Sequence, residues 1–403
     1  MSKNILKFPK NFLWGTATSG HQIEGNNTNS DWWYFENHKK KGQEYPLERS
    51  GIACDSYNRY EEDFDLCVML NNNAARISIE WARIEPKKGE FDIEAINHYK
   101  NVLEALKKRN LKTFVTLHHF SNPLWFTNLG GWTNFKSEKY FSRYAQYVAE
   151  NLGPLIDFFA TVNEPQVLAL MSYTRGQWPP YKINLISSLL CQINFIRSHI
   201  AAYKAIKSVH KHYVVGIVSN VVNYETESHI LDVLLTNILN FLNRDFFHMP
   251  IIWAGAMDFF GLNFYFSERL KHFRAKNPND IVSDLGWWID PAGIEKVLEH
   301  LKRYNVPIYI TENGLADAKD EKRVFFIKEM LRSIHKSIKA GIDVRGYFHW
   351  SLIDNYEWHH GFWPRFGLVE IDRENNLKRI PRKSFYYYAN ICKYNEINLD
   401  LSE

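Results

Sequence analysis

Two runs of this 403-residue chain end in the same way. Thr161-Val162-Asn163-Glu164 stops at Pro165, and Ile310-Thr311-Glu312 stops at Asn313-Gly314. Apolar and β-branched residues favour strands and Asn-Gly favours a turn, so each glutamate sits where a buried strand opens to solvent. Either one alone would suit a surface carboxylate at a strand end. Facing each other across a sugar-sized cleft, two carboxyls are what cleavage of a glycosidic bond requires. One must stay protonated to donate to the leaving oxygen, and the other must be ionised to attack the anomeric carbon. Both are glutamates with the same intrinsic pKa, so environment has to separate them. Arg76 can favour the anion of Glu312, and Tyr265 can hydrogen-bond it. Glu164 stands beside Asn163, which adds no charge, so burial can hold its proton. Metal-assisted hydrolysis also uses paired carboxylates, but the chain has no H-E-x-x-H and no coherent ligand set.

The elements that must position these residues alternate along the whole chain. Strand patterns fall at Phe12–Ala17, Ala74–Ile79, Thr113–His118, Phe158–Val162, Val214–Val218, Phe259–Phe264, Pro307–Thr311 and Gly346–Trp350. Helical patterns fall at Tyr57–Leu70, Ile93–Arg109, Glu138–Leu152, Leu185–His210, His229–Phe247, Ala292–Tyr304, Lys322–Lys339 and Ser384–Cys392. Eight βα units predict an α/β fold, a single (β/α)₈ TIM barrel over residues 1–403. No G-x-G-x-x-G or Walker-type loop follows any strand, which argues against a nucleotide fold. A barrel collects its chemistry at the C-terminal strand ends. Those ends carry Gln22, Arg76, His119, Asn163-Glu164, Asn263, Tyr265, Glu312, Trp350 and Glu357-Trp358, nearly all able to hold a polyol.

Charge is close to balance, +4 from 49 basic and 45 acidic residues. The densest basic run, Lys39-Lys40-Lys41, reads as a solvated loop, and no basic stripe interleaved with aromatics suggests nucleic acid. The 13 Trp, 22 Tyr and 27 Phe supply flat faces of the kind that stack on pyranose rings. Cys54, Cys67, Cys191 and Cys392 are scattered, with no C-x-x-C pair for zinc or disulfides. The first residues lack an apolar signal region, and no 18-residue apolar run would span a bilayer. These features predict a cytoplasmic protein needing no cofactor or metal. With the paired carboxyls, the aromatic faces point to a small glycoside or short oligosaccharide as partner, with neither nucleic acid nor membrane, the protein being a monomer or homo-oligomer.

The ordered motifs resemble glycoside hydrolase family 1, the retaining β-glycosidases. The similarity runs from FPKNFLWGTATSGHQIEG (8–25) through RISIEWARIEP (76–86), TLHHF (116–120) and TVNEP (161–165). It continues through GLNFYF (261–266), ITENG (310–314) and WSLIDNYEW (350–358) to RFGLVEID (365–372). The resemblance implies Glu164 as acid/base and Glu312 as nucleophile, with Arg76, Asn263 and Tyr265 in support. It implies Gln22, His119, Asn163, Glu357 and Trp358 as ligands of the glycone hydroxyls, and Trp350 as the floor beneath the sugar. The 6-phospho branch of the family carries Ser, Lys and Tyr where this chain has Glu357, Pro364 and Phe366. A carboxylate and no cation at that place predict an unphosphorylated glycone, gluco or galacto, bordered by Phe366. The thioglucosidase branch has Gln for the acid/base, which Glu164 contradicts. The connection Asn243–Asp258 is expected to be short for the family, and the leaving-group side correspondingly trimmed. A glycan-binding protein that had lost catalysis is the other reading of the scaffold, but it would have no need of both glutamates.

Overall fold

A computed structural model describes residues 4–39, 43–44, 46–227 and 229–400; Lys40 and Lys41 of the basic run, and Met1–Lys3, lie outside these. Eight parallel strands close a barrel: β1 Leu13–Ala17, β2 Ala74–Ser78, β3 Lys112–His118, β4 Phe158–Asn163, β5 Val214–Asn220, β6 Phe259–Asn263, β7 Ile308–Asn313 and β8 Val344–Trp350. They pair in chain order, and β8 returns to β1 through Gly346↔Leu13 and Trp350↔Ala17. The expected strands are matched to within two residues, but β4, β5 and β7 run further into the mouth than the pattern indicated.

The lumen is filled by alternating small and large side chains: Ala17, Ala74 and Ala160 against Phe114, Phe259, Tyr309 and Phe348. Close fit there leaves Gly15 no alternative, since a Cβ would lie 2.5 Å from the Phe348 ring and 2.7 Å from the Ala74 carbonyl. The second, larger apolar layer lies between strands and helices. Helix Ile93–Lys108 shows the logic. Asp92 caps it by accepting from the Glu94 and Ala95 amides, and Ile96, Tyr99, Leu103 and Leu106, at three- and four-residue spacing, are buried.

Two departures from the sequence reading concern the stretches on either side of β6. Helix Ile230–Asn240 passes through a wide turn, Phe241–Asp245, into a further helix, Phe246–Trp253. The connection expected at Asn243–Asp258 is therefore mostly helical, because its apolar residues Phe247 and Ile251 are buried. A three-stranded sheet of Asn223–Thr226, Ser267–Lys271 and Arg274–Ala275 also rises beside the mouth; strands this short leave little periodic signal.

Candidate active site

The C-terminal ends of β4 and β7 are irregular. The β4–β5 register shifts between Ala160 and Asn163, and β7 shifts against β6 between Ile310 and Glu312. Such irregularities re-aim side chains at a barrel rim. Glu312 is buried, and both of its oxygens are taken. Arg76 Nη1 donates to Oε1 at 2.5 Å and the Tyr265 hydroxyl donates to Oε2 at 2.6 Å. The guanidinium is fully buried at the middle of the site, and it also donates to the Thr311 carbonyl and to Asn163 Oδ1 at 2.7 Å. Burial, followed by the charge of Glu312, holds the Tyr265 phenol well above its ordinary pKa, so it remains a donor.

Glu164 immediately follows β4 and precedes helix Pro165–Ala169 with φ 45° and ψ 56°, a left-handed conformation uncommon for a residue with a side chain. Two carboxamides serve it, both on Oε1: Asn263 Nδ2 at 2.7 Å and Asn220 Nδ2 at 3.2 Å. Burial and then the charge of Glu312 push its pKa up to about 8. Asn263 is fixed in turn by Thr311 Oγ1, which donates to its Oδ1 at 2.7 Å. The two carboxyls are thus linked through Asn263, Asn163 and Arg76 by an unbroken series of hydrogen bonds.

The remaining residues gather around this pair. Asn163 donates to His119 Nε2 at 3.2 Å, which puts the imidazole proton on Nδ1, a buried atom without a hydrogen-bond partner. Burial, then Arg76 and His118, hold His119 neutral. Its ring lies nearly parallel to Trp350 and Trp358, with centroids 5.9 Å and 6.1 Å away. Gln22 donates to the Tyr356 carbonyl at 2.9 Å and to Glu357 Oε2 at 3.4 Å, and it accepts from Ser19 at 2.7 Å. Phe366 forms an aromatic wall with Tyr265 and Trp287. The candidate site residues named from the sequence all lie at this end of the barrel.

Glu357 differs from its sequence-based description. Burial, then Glu312 and Glu164, raise its pKa to about 8, so it is a neutral acid over most of the range where a carboxylate was expected. Two participants were missed altogether. Asn220 was overlooked because β5 extends two residues past the predicted strand end, and Trp287 belongs to a loop without periodic signal. Among the described residues no cluster of His, Cys, Asp and Glu could hold a metal ion, and no helix is long and apolar enough to cross a membrane.

The family profile described as glycosyl hydrolase family 1 matches residues 5–255 and 247–397. Beta-glucosidase A of Thermotoga maritima is 30% identical, over 97% of this chain and 99% of that protein. A beta-galactosidase of Sulfolobus acidocaldarius is likewise 30% identical, over 98% and 97%. A solved beta-glycosidase from Pyrococcus horikoshii superposes with a TM-score of 0.90 at 39% identity, covering 97% of this chain and 96% of that one.

Proposed function

We propose, from the premise that the chain belongs to glycosyl hydrolase family 1, that this glycoside hydrolase is a retaining β-glycosidase of unphosphorylated β-glucosides and β-galactosides. The barrel is its one catalytic domain. What carries the reading is the unequal treatment of two glutamates: Glu312 is clasped by a guanidinium and a phenol, while Glu164 has only carboxamides and burial.

In the first step a Glu312 oxygen attacks the anomeric carbon while the bond to the leaving oxygen breaks, and Glu164 transfers its proton to that oxygen. Amide donors occupy Glu164 Oε1, which leaves Oε2 to carry the proton. The glycosyl ester so formed removes the negative charge of Glu312. That charge is the second cause of the high Glu164 pKa, so its loss lowers the pKa when a base is next required. Glu164 then takes a proton from water, the water attacks the anomeric carbon, and Glu312 departs with configuration retained. Asn163, Gln22, His119 and Glu357 hold the glycone hydroxyls, with Trp350 and Trp358 as stacking faces and Phe366 at the edge. His119 Nδ1–H is the buried donor that a sugar hydroxyl would satisfy.

Glucoside and galactoside are both proposed because relatives carrying each name are equally similar. A 6-phosphate would find no cation at position 364, where the 6-phospho branch carries a Lys. Pro364 and Phe366 offer none, and Arg365 is committed to Glu370 at 3.1 Å and Asp354 at 3.7 Å. Incubation with a 2-deoxy-2-fluoro-β-glucoside bearing a good leaving group tests the mechanism. Intact mass should rise by one glycosyl unit, and peptide mapping should place it on Glu312; label on another residue, or none, overturns the reading.

A further inference from the structure

Helix Ile230–Asn240, with the turn that follows it, is amphipathic in the reverse of the usual sense. Its polar residues Asp232, Thr236 and Asn240 face the protein, and Asn237 alone among them is exposed. Asp232 is 1% exposed and accepts from the backbone amides of His272 and Phe273, both at 2.9 Å. Asn240 donates to the Tyr224 carbonyl at 2.9 Å. Its apolar residues face outward: Ile230 is 83% exposed, with Leu231, Leu234, Ile238, Phe241 and Leu242 also exposed. At 3.6 residues per turn these form one continuous stripe. Asp232 is the one charged residue between Ile230 and Leu242, so nothing charged interrupts the stripe.

The hairpin that Asp232 anchors adds a second element. Its turn carries Phe273, 61% exposed, flanked by exposed Lys271, Arg274 and Lys276, none of which forms an ion pair among the described residues. The rings of His229 and His272, 5.4 Å apart, hold this tip against the start of the helix. An apolar stripe bordered by an aromatic residue and unpaired cations suits a protein that lies on a membrane without spanning it. A second copy of the chain is a poorer match, since a two-fold contact would set the same cations against one another.

We propose that this face docks the enzyme on an anionic lipid surface. The docking elements adjoin the mouth of the barrel. The helix rests on strand Asn223–Thr226, three residues beyond Asn220, whose amide reaches Glu164, and the hairpin begins two residues beyond Tyr265. Docking therefore brings the catalytic mouth to the lipid, and it stands whether or not the glycosidase mechanism above is right.

Co-sedimentation with phosphatidylcholine vesicles, with and without phosphatidylglycerol, tests the proposal on the whole protein. Wild type should pellet with the anionic vesicles and be largely released by high salt. Leu234→Gln with Ile238→Gln should weaken vesicle partitioning at least about tenfold, and Lys271→Glu with Arg274→Glu and Lys276→Glu should abolish the preference for phosphatidylglycerol. Both variants should keep the wild-type Tm and aryl-glycoside turnover, because every substituted side chain is exposed. Wild type that stays in the supernatant, or variants that pellet as wild type does, would overturn the proposal. So would a discrete dimer in sedimentation velocity that dissociates in the Gln variant while neither form binds vesicles.

Discussion

The β4 end and the β7 end of the barrel present the same side chain and treat it in opposite ways. Glu312 receives a buried cation and a phenol, one on each oxygen, whereas Glu164 receives two neutral amides on a single oxygen. Both are buried, so burial alone cannot separate them. The donors do. A guanidinium stabilises an anion that burial would otherwise penalise, whereas a carboxamide is too weak to offset the same penalty. The single charge left at Glu312 then acts on the other side of the cleft, raising Glu164 and Glu357 together.

The contrast can be broken most directly at β7. Glu312→Ala should lower hydrolysis by at least about 10⁴-fold, since a nucleophile is not replaced by its neighbours. Azide should restore turnover and yield the α-glycosyl azide, because the acid side remains intact; wild-type-like activity would refute the assignment. Glu164→Ala should cost about 10²–10⁴-fold on substrates with poor leaving groups and far less on activated ones. Equal losses on both would make Glu164 a binding residue.

A smaller effect is expected at the third carboxyl. Comparing kcat/KM for a matched aryl glucoside and its 6-phosphate should favour the plain sugar by about 10²-fold, the scale of an unpaired buried charge. Preference for the phosphorylated substrate would show that the β8 loop has been misread. Tyr265→Phe should reduce kcat/KM by about 10-fold or somewhat more, the usual worth of one hydrogen bond to a charged group. A rise in KM without a fall in kcat would place the phenol on the sugar instead of on Glu312.

The last prediction concerns stability. Glu164 and Glu357 have folded pKa values raised to about 8 from an ordinary 4.5. Between these limits the folded protein keeps two protons that the unfolded chain has lost, so stability falls as pH rises across that interval and levels above it. Glu164→Gln with Glu357→Gln should flatten the decline in Tm between pH 5 and 8. An unchanged slope would mean that the two groups titrate normally.

Residue type was legible wherever chemistry demands a particular type. The strand-end glutamates, Arg76 and Asn163 stand out from the one-dimensional pattern because a βα alternation puts each at a rim. Environment was not legible, since the protonation of Glu357 depends on its burial in the folded mouth and then on charges arriving from β7 and β4. Asn220 was hidden by two residues of strand length. The helix at Ile230 shows another limit: its stripe is plain in the sequence, but periodicity does not say which face turns inward. A search for spanning segments is blind to it for the same reason, being sensitive to length and not to orientation.

The pairing of Leu13 with Gly346 governs when this enzyme can begin to work. Until β8 is in place, β1 and β7 are open edges, and joining them closes a loop of nearly the whole chain, which is slow and leaves strands free to pair wrongly. Arg76 and Glu164 lie on early strands, whereas Glu312 lies on the penultimate one. Activity recovered during refolding therefore times the closure of the ring, and it should trail the return of helical circular dichroism.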